Sequence, residues 1–408
     1  MKKILVLFCA LAVTVAMAAQ PAYVFHDKGK ALFDQGKYVE AIAQFDLAIK
    51  ADASYFEAYL DRGRANMQLG KNDLAMADFN KTVSLNPKYA PGFFWRAKLN
   101  AQEGNDQQAI SDYTQAIALN PDFTESYVNR GMLYVKTKQN DPALADFNKA
   151  ISMDGKNADV FFQRGLIYKS MGKNNEALAD FTKVTTLDPK RGDAFFEMGK
   201  LNASLGKNDA ALANYSKAIG LGITGEEIYK CRAAANVALG KTNDALADYS
   251  MLIDQLHTKD GDIYRLRGEV FLSQKNYIAA IKDFNKGLIF KKDDVALLLD
   301  RADANYQQGK TKYVQAETDY KKALTLDAAN VHAARGLAQI YFEQEKWQQA
   351  VDNLDIVIKN GATGNDYDMR GKCEFRLNNK KSACEDFTKA GQLGCPDAEN
   401  DKLNAGCK

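Results

Sequence analysis

Apolar residues recur along this chain at spacings of three and four, and the pattern breaks at regular intervals. Between residues 158 and 191, Phe161, Gly165 and Tyr168 mark one face of a first helix, and Ala177, Phe181 and Val184 mark one face of a second. Such spacing is the signature of an amphipathic helix. Gly172 ends the first helix by taking the left-handed conformation that other residues avoid. Asn174 is placed to cap the second. Asp188-Pro189 then closes the pair, since proline cannot extend a helix. Small residues at Gly165 and Ala177 let the two helices approach, and the aromatic residues fill the remaining space.

The same motif returns along nearly the whole chain. Residues 59–87 read YLDRGRANMQLGKNDLAMADFNKTVSLNP, and residues 161–189 read FFQRGLIYKSMGKNNEALADFTKVTTLDP. Aligned in this way, the chain divides into eleven repeats: 22–55, 56–89, 90–123, 124–157, 158–191, 192–225, 226–259, 261–294, 295–330, 331–363 and 364–395. A C-terminal capping segment, 396–408, follows. One extra residue precedes repeat eight, and repeat nine carries two more around Lys310-Thr311-Lys312. A lone helical hairpin cannot bury both of its faces, so each repeat must stack on its neighbours.

These units resemble the tetratricopeptide repeat. That family has an aromatic at position 4, Gly or Ala at 8, Ala at 20, an aromatic at 24 and Pro at 32. Repeat two matches with Tyr59, Gly63, Ala75, Phe79 and Pro87, and repeat three with Phe93, Ala97, Ala109, Tyr113 and Pro121. The proline is lost from repeat six onward, and repeat ten has Ala334 and Leu354 at the aromatic positions. The resemblance implies an all-α, right-handed superhelical solenoid of about eleven helix-turn-helix repeats, with first helices lining a concave groove that binds protein or peptide.

Position 7, usually Leu in the family, is mostly Arg here, and it varies together with position 23. The pairs are Arg62 and Asp78, Arg96 and Asp112, Arg130 and Asp146, Arg164 and Asp180. They continue as Arg232 and Asp248, Arg267 and Asp283, Arg301 and Asp319, Arg370 and Asp386. Three repeats lack both partners, with Lys28 and Gln44, Met198 and Asn214, Leu337 and Asn353 instead. Joint loss is what a buried charge pair demands, because a lone buried charge is left uncompensated. An ion pair bridging the two helices of each of the eight repeats is predicted, rather than a ladder of anion sites or acid catalysts.

Positions 5, 9 and 12 of the first helix lie about 100° round from those pointing into the hairpin, and should face the groove. Position 5 supplies Leu60, Phe94, Val128, Phe162 and Phe196, and position 9 supplies Lys30, Arg64, Lys98 and Lys200. An apolar row flanked by basic residues suits a peptide with hydrophobic anchors and some acidic character. The other reading is that these aromatics pack between neighbouring first helices. The Lys and Asn set by which some family members clamp a C-terminal carboxylate is missing: repeats one to three offer His26 and Lys30, Asp61, then Pro91 and Trp95.

Catalytic and metal chemistry find little support. Gly220-Leu221-Gly222-Ile223-Thr224-Gly225 spells a dinucleotide-binding motif but follows a helix, where that motif needs a strand. His26, His257 and His332 fall in different repeats, so no metal site, cofactor or enzyme activity is expected. Residues 1–18 read as a signal peptide: Lys2 and Lys3, an apolar stretch over 4–15, then Ala16-Met17-Ala18 before the cleavage point. Cys9 follows bulky Phe8 in mid-stretch and does not fit a lipoprotein signal. Without residues 1–18 the chain holds 52 basic and 52 acidic side chains, a balance that disfavours sequence-independent nucleic-acid or anionic-lipid binding. No later stretch reads as a membrane span.

Cys231 stands alone, whereas Cys373, Cys384, Cys395 and Cys407 crowd the C-terminus. In an oxidising compartment these can form disulfides. Antiparallel packing of a last helix on the second helix of repeat eleven brings Cys384 level with Cys407, with Cys373–Cys395 as the weaker complement. The sequence therefore points to a periplasmic or secreted scaffold that binds a protein or peptide partner, within an envelope or secretion assembly. The alternative is a holdase-type chaperone for unfolded exported chains.

Overall fold

The computed structural model of the protein describes residues 20–407; the signal segment 1–18 with Cys9, and Lys408, lie outside the described residues. Among the described residues all regular structure is helical, and the chain forms two compact bodies that divide between Lys190 and Arg191. The first body holds the antiparallel hairpins Ala22–Asp34 with Tyr38–Ala51, Phe56–Gln68 with Asn72–Leu85, Ala90–Gln102 with Asp106–Leu119, Thr124–Lys136 with Asn140–Met153, and Ala158–Ser170 with Asn174–Leu187. The second holds Gly192–Ser204 with Asn208–Gly220, Glu226–Ala238 with Thr242–Ser250, and Gly261–Ser273 with Tyr277–Phe290. It continues with Val295–Gln307 and Tyr313–Leu326, Val331–Glu343 and Trp347–Gly361, and Gly364–Arg376 and Lys380–Gln392. A short helix, Ala398–Asn404, ends it. The first helix of each hairpin is called helix A below and the second helix B.

Within a hairpin the core forms where position 8 of helix A meets the aromatic at position 24 of helix B. Phe45, Phe79, Phe147, Phe181 and Phe284 are fully buried. Each lies against a glycine, and a Cβ on Gly29, Gly63, Gly131, Gly165 or Gly268 would come within 2.4–2.9 Å of the ring. Where position 8 is Ala97, Ala233 or Ala302, the facing aromatic is Tyr113, Tyr249 or Tyr320 instead. In each case a small residue at position 8 leaves room for the ring, and Gly199 does the same for Tyr215.

The turns follow the same logic. Gly172 sits at φ +72°, and the next N–H, of Lys173, donates to the Tyr168 carbonyl at 2.9 Å. Helix B then begins at Asn174 itself, behind Lys173, and no side chain caps it. The expected Asn174 cap is therefore corrected: the tight glycine turn brings the helix in one residue early. The single extra residue before repeat eight coincides with a π-helical turn, Met251–Gln255, and with His257 at φ +52°. One inserted residue widening a helical turn is the usual origin of such a bulge. The two extra residues of repeat nine fall in a 3₁₀ turn, Lys310–Lys312.

At the C-terminal end Cys384 and Cys407 are joined, with their Cα atoms 5.6 Å apart. Ala405 and Cys407 pack with Ala383 and Phe387, against the second helix of repeat eleven. Cys373 and Cys395, the weaker pairing considered from sequence, are both free, Cys373 buried in the core of repeats nine to eleven. No helix of the described residues is long and apolar enough to cross a membrane.

Candidate protein-binding site

The Arg–Asp pairs come first, because they decide which charges remain for a ligand. In each of the eight pairs Nε and Nη2 of the arginine donate to the aspartate, with closest approaches of 2.6–2.7 Å. Such forked contacts combine charge with fixed geometry. The aspartates are buried; burial pushes the Asp78 carboxyl up, while the Arg62 hydrogen bonds oppose it. Nothing in this ladder is left to bind an anion. Where the pair is missing, Asn214 and Asn353 donate to carbonyls of their own helices, Ala210 and Gln349, at 2.8 Å.

The third nitrogen of the guanidinium does something the sequence reading missed. Nη1 reaches helix B of the preceding repeat: Arg62 to Asp46 at 2.6 Å, Arg96 to Asn80 at 3.0 Å, Arg130 to Thr114 at 2.9 Å, Arg164 to Asn148 at 2.7 Å. In the second body Arg267 meets Ser250 at 3.1 Å, Arg301 meets Asn285 at 2.6 Å, and Arg370 meets Asp355 at 2.5 Å. The signal was present as polar residues two positions after position 23, whether that position holds the paired aspartate or, as Gln44 and Asn353, does not.

The apolar row at position 5 is mostly not a surface. Leu60, Phe94 and Phe162 are 5%, 7% and 9% exposed, and Val128 and Phe196 are half-buried. Phe94 lies 4.7 Å from Phe123 and 5.7 Å from Tyr113, ring centre to ring centre, and Phe162 lies 5.6 Å from Phe181. Position 5 is only one residue round from the hairpin face, so a large ring there folds into the seam. Of the two readings, packing describes Leu60, Phe94 and Phe162, and an open row of hydrophobic anchors does not.

The basic residues at position 9 fare unevenly. Lys30 and Lys98 are exposed. Arg64 lies 4.8 Å from the ring centres of both Phe33 and Trp95 and donates to Asp61 at 2.6 Å, while Lys98 stands 4.8 Å from the Trp95 ring. Burial raises the Asp61 carboxyl, but His26 at 2.9 Å and Arg64 outweigh it and hold the group below its usual range. Lys200 is tied to Glu197 at 2.6 Å and Glu227 at 3.3 Å, and sits 4.4 Å above the Phe196 ring.

A recess on the helix A faces lies in the second body, across repeats eight to ten. A cavity of about 580 Å³ is lined by Asp303, Tyr306, Tyr320, His332, Arg335 and Gln339, among others. Three carboxylates, Asp303, Glu343 and Asp366, organise the polar side chains around it. Asp303 Oδ1 accepts from the Tyr320 hydroxyl at 2.5 Å and lies 3.0 Å from His332 Nε2. Glu343 accepts from Tyr306 at 2.5 Å, from Gln339 at 2.8 Å and from Tyr313. Arg335 turns away to Asp366 of repeat eleven, at 2.8 and 3.0 Å. The His332 imidazole is raised by its hydrogen bond to Asp303, against burial. Burial likewise pushes Asp300 up to about 6, aided by Glu269 and opposed by Arg265.

The cavity exists because repeats nine and ten depart from the pattern. Ala302 occupies position 8, and Gly336 in the next repeat gives the Tyr320 ring its space; a Cβ there would come within 2.4 Å of the ring. Asp303, Tyr306, Arg335 and Gln339 hold positions 9, 12, 5 and 9 of their first helices, the positions expected to face the groove, although the apolar and basic residues singled out for binding lay in repeats one to six. Among the described residues no three His, Cys, Asp or Glu side chains converge to hold a metal ion.

Family models described as tetratricopeptide repeat match residues 26–90 and 299–365, and residues 90–123, 124–157 and 158–191. No curated protein sequence matches the chain. Similar solved structures include the MamA protein, 26% identical, covering 42% of this chain and 94% of that one with a TM-score of 0.38. YrrB, described as having an unusual peptide-binding site, is 22% identical and covers 44% of this chain and 92% of its own, with a TM-score of 0.41. A tetratricopeptide repeat protein from Parabacteroides merdae is 20% identical, covering 61% of this chain and 98% of that one, with a TM-score of 0.42.

Proposed function

Because the chain belongs to the tetratricopeptide repeat family, whose members mediate protein–protein interaction, we propose that it is a non-enzymatic scaffold of the cell envelope that holds a partner polypeptide on its helix A faces. The observation that carries this reading is the 580 Å³ cavity across repeats eight to ten. Polar and aromatic side chains line it, and core packing does not fill it. A recess with a few convergent polar groups is the usual form of a binding site. Export is supported by the sequence of residues 1–18 and by the Cys384–Cys407 pair, which suits an oxidising compartment. A holdase role would draw on the apolar row of repeats two to six, and burial of Leu60, Phe94 and Phe162 removes most of that surface.

The test is site-specific photo-cross-linking in the intact envelope. A photoreactive residue at Gln339, in the cavity, is compared with one at Lys321, exposed on helix B. A defined adduct at 339 alone supports the reading. Absence of adducts at 339, or identical adducts at both positions, overturns it. Amino-terminal sequencing of the mature chain tests export separately, and an intact Met1 would defeat it.

A further inference from the structure

The cavity has a chemistry of its own, and the charges around it are unevenly matched. Glu269, Asp300, Asp303, Glu343 and Asp366 stand on helices A of repeats eight to eleven. Arg265 is spent on Glu269 and approaches Asp300 at 3.6 Å, and Arg335 is spent on Asp366. His332 serves Asp303. Lys275 at the rim is exposed.

One carboxylate oxygen in the cavity wall is open to a donor. Asp303 is partly exposed and takes both of its hydrogen bonds on Oδ1, leaving Oδ2 without one. Asp300 Oδ2, outside the lining, is buried without a hydrogen bond and faces Arg265 at 3.6 Å, so it adds negative charge nearby rather than a contact. The tyrosines cannot supply that donor: the Tyr306 and Tyr313 hydroxyls are committed to Glu343, and that of Tyr320 to Asp303. What they offer is ring surface. Tyr306 stacks on Tyr313 with centres 5.3 Å apart and planes 16° from parallel, and Tyr306 also lines the cavity.

An open carboxylate oxygen on Asp303, a tyrosine wall and nearby negative charge together describe a receptor for a flat cation with several N–H groups. We propose that the cavity takes an arginine side chain of the bound polypeptide, its guanidinium set against Asp303 and stacked on Tyr306. Guanidinium fits where an ammonium does not, because its planar fork pairs with a carboxylate while its face lies on an aromatic ring. The commitment rests on the reading of the helix A face as the binding surface, and it gives that surface a second character. The first body shows bases with aromatics there, as Arg64 and Lys98 on Trp95, and the second shows carboxylates with aromatics.

The probe is a terminally blocked peptide, Ser-Leu-Arg-Leu-Ser, titrated into the mature protein at low salt and followed by calorimetry. Its partner is the same peptide with citrulline in place of arginine, which keeps the shape and removes the charge while leaving the protein untouched. Binding of the arginine peptide at least tenfold tighter than the citrulline peptide, with the difference lost in Asp303→Asn and reduced in Tyr306→Leu, is expected. Equal affinities for the two peptides, or an arginine preference that survives Asp303→Asn, overturn the arginine assignment. So does failure of the arginine peptide to bind at millimolar concentration. The cross-link at Gln339 separates that failure from failure of the groove: a retained adduct leaves the helix A face as the binding surface with a different anchor, and its loss defeats both.

Discussion

Arg62 lies between two aspartates of different repeats, 2.7 Å from Asp78 in its own hairpin and 2.6 Å from Asp46 in the hairpin before it. One guanidinium therefore closes a repeat and straps it to its neighbour. The two contacts differ in environment: the Asp78 side chain is 6% exposed and that of Asp46 is 54% exposed.

Their removal should differ accordingly. Asp78→Ala leaves a half-buried guanidinium without its buried partner and is expected to lower stability by about 3 kcal/mol. Asp46→Ala removes a solvent-screened contact and should change it by no more than about 0.5 kcal/mol. Urea unfolding followed by circular dichroism reads both. Equal effects would contradict the division into a buried closure and an exposed strap.

Position 8 offers a packing test. Gly131→Ala brings a Cβ within 2.6 Å of the Phe147 ring, and overpacking of this kind costs about 2 kcal/mol. Adding Phe147→Leu imitates Ala338 and Leu354 of repeat ten and should make the pair of substitutions less harmful than their sum. Strict additivity in denaturant melts would show that these two residues do not share one volume.

Asp300 gives a pH signature. Its carboxyl is raised to about 6 by burial first and Glu269 second, so the folded state holds a proton that the unfolded chain releases near 3.8. Stability from this group is present below the unfolded value and is lost as pH rises through the folded one. Asp300→Asn should then leave the protein unchanged at pH 4 and stabilise it by about 2 kcal/mol at pH 7. A gain of the same size at both pH values would place the effect elsewhere.

Reduction of Cys384–Cys407 opens a link spanning 23 residues and should lower the stability of the last repeat by about 3 kcal/mol. Limited trypsin digestion reads the change as early loss of the C-terminal helix in reductant. Four free C-terminal thiols in a non-reducing peptide map would refute the pairing itself.

The repeats, the two helices of each and the pairing of position 7 with position 23 are legible in the sequence because each recurs many times, and recurrence exposes a covarying pair such as Leu337 with Asn353. The strap from Arg62 to Asp46 was harder to see, since its acceptor changes between Asp, Asn, Thr and Ser and keeps only polarity. Helical phase alone could not place Phe94 or Phe162, because 100° separates a groove from a seam only when the neighbour's bulk is known. The cavity was least visible. It arises where Gly336, Tyr320 and the insertion at Lys310–Lys312 depart from the pattern, and a reading built on recurrence passes over what happens once.

Repeat ten, with Leu337 at position 7, has no arginine strap to repeat nine. It is joined mainly by a continuous apolar cluster that includes Leu298, Tyr313, Tyr320, Leu337, Ile340 and Tyr341, with the His332–Asp303 and tyrosine–Glu343 hydrogen bonds at its edge. The molecule thus contains two kinds of joint with opposite responses to its surroundings. Charged joints such as Arg62 with Asp46 loosen as salt rises. The apolar cluster between repeats nine and ten tightens in sulfate or phosphate and slackens in the cold.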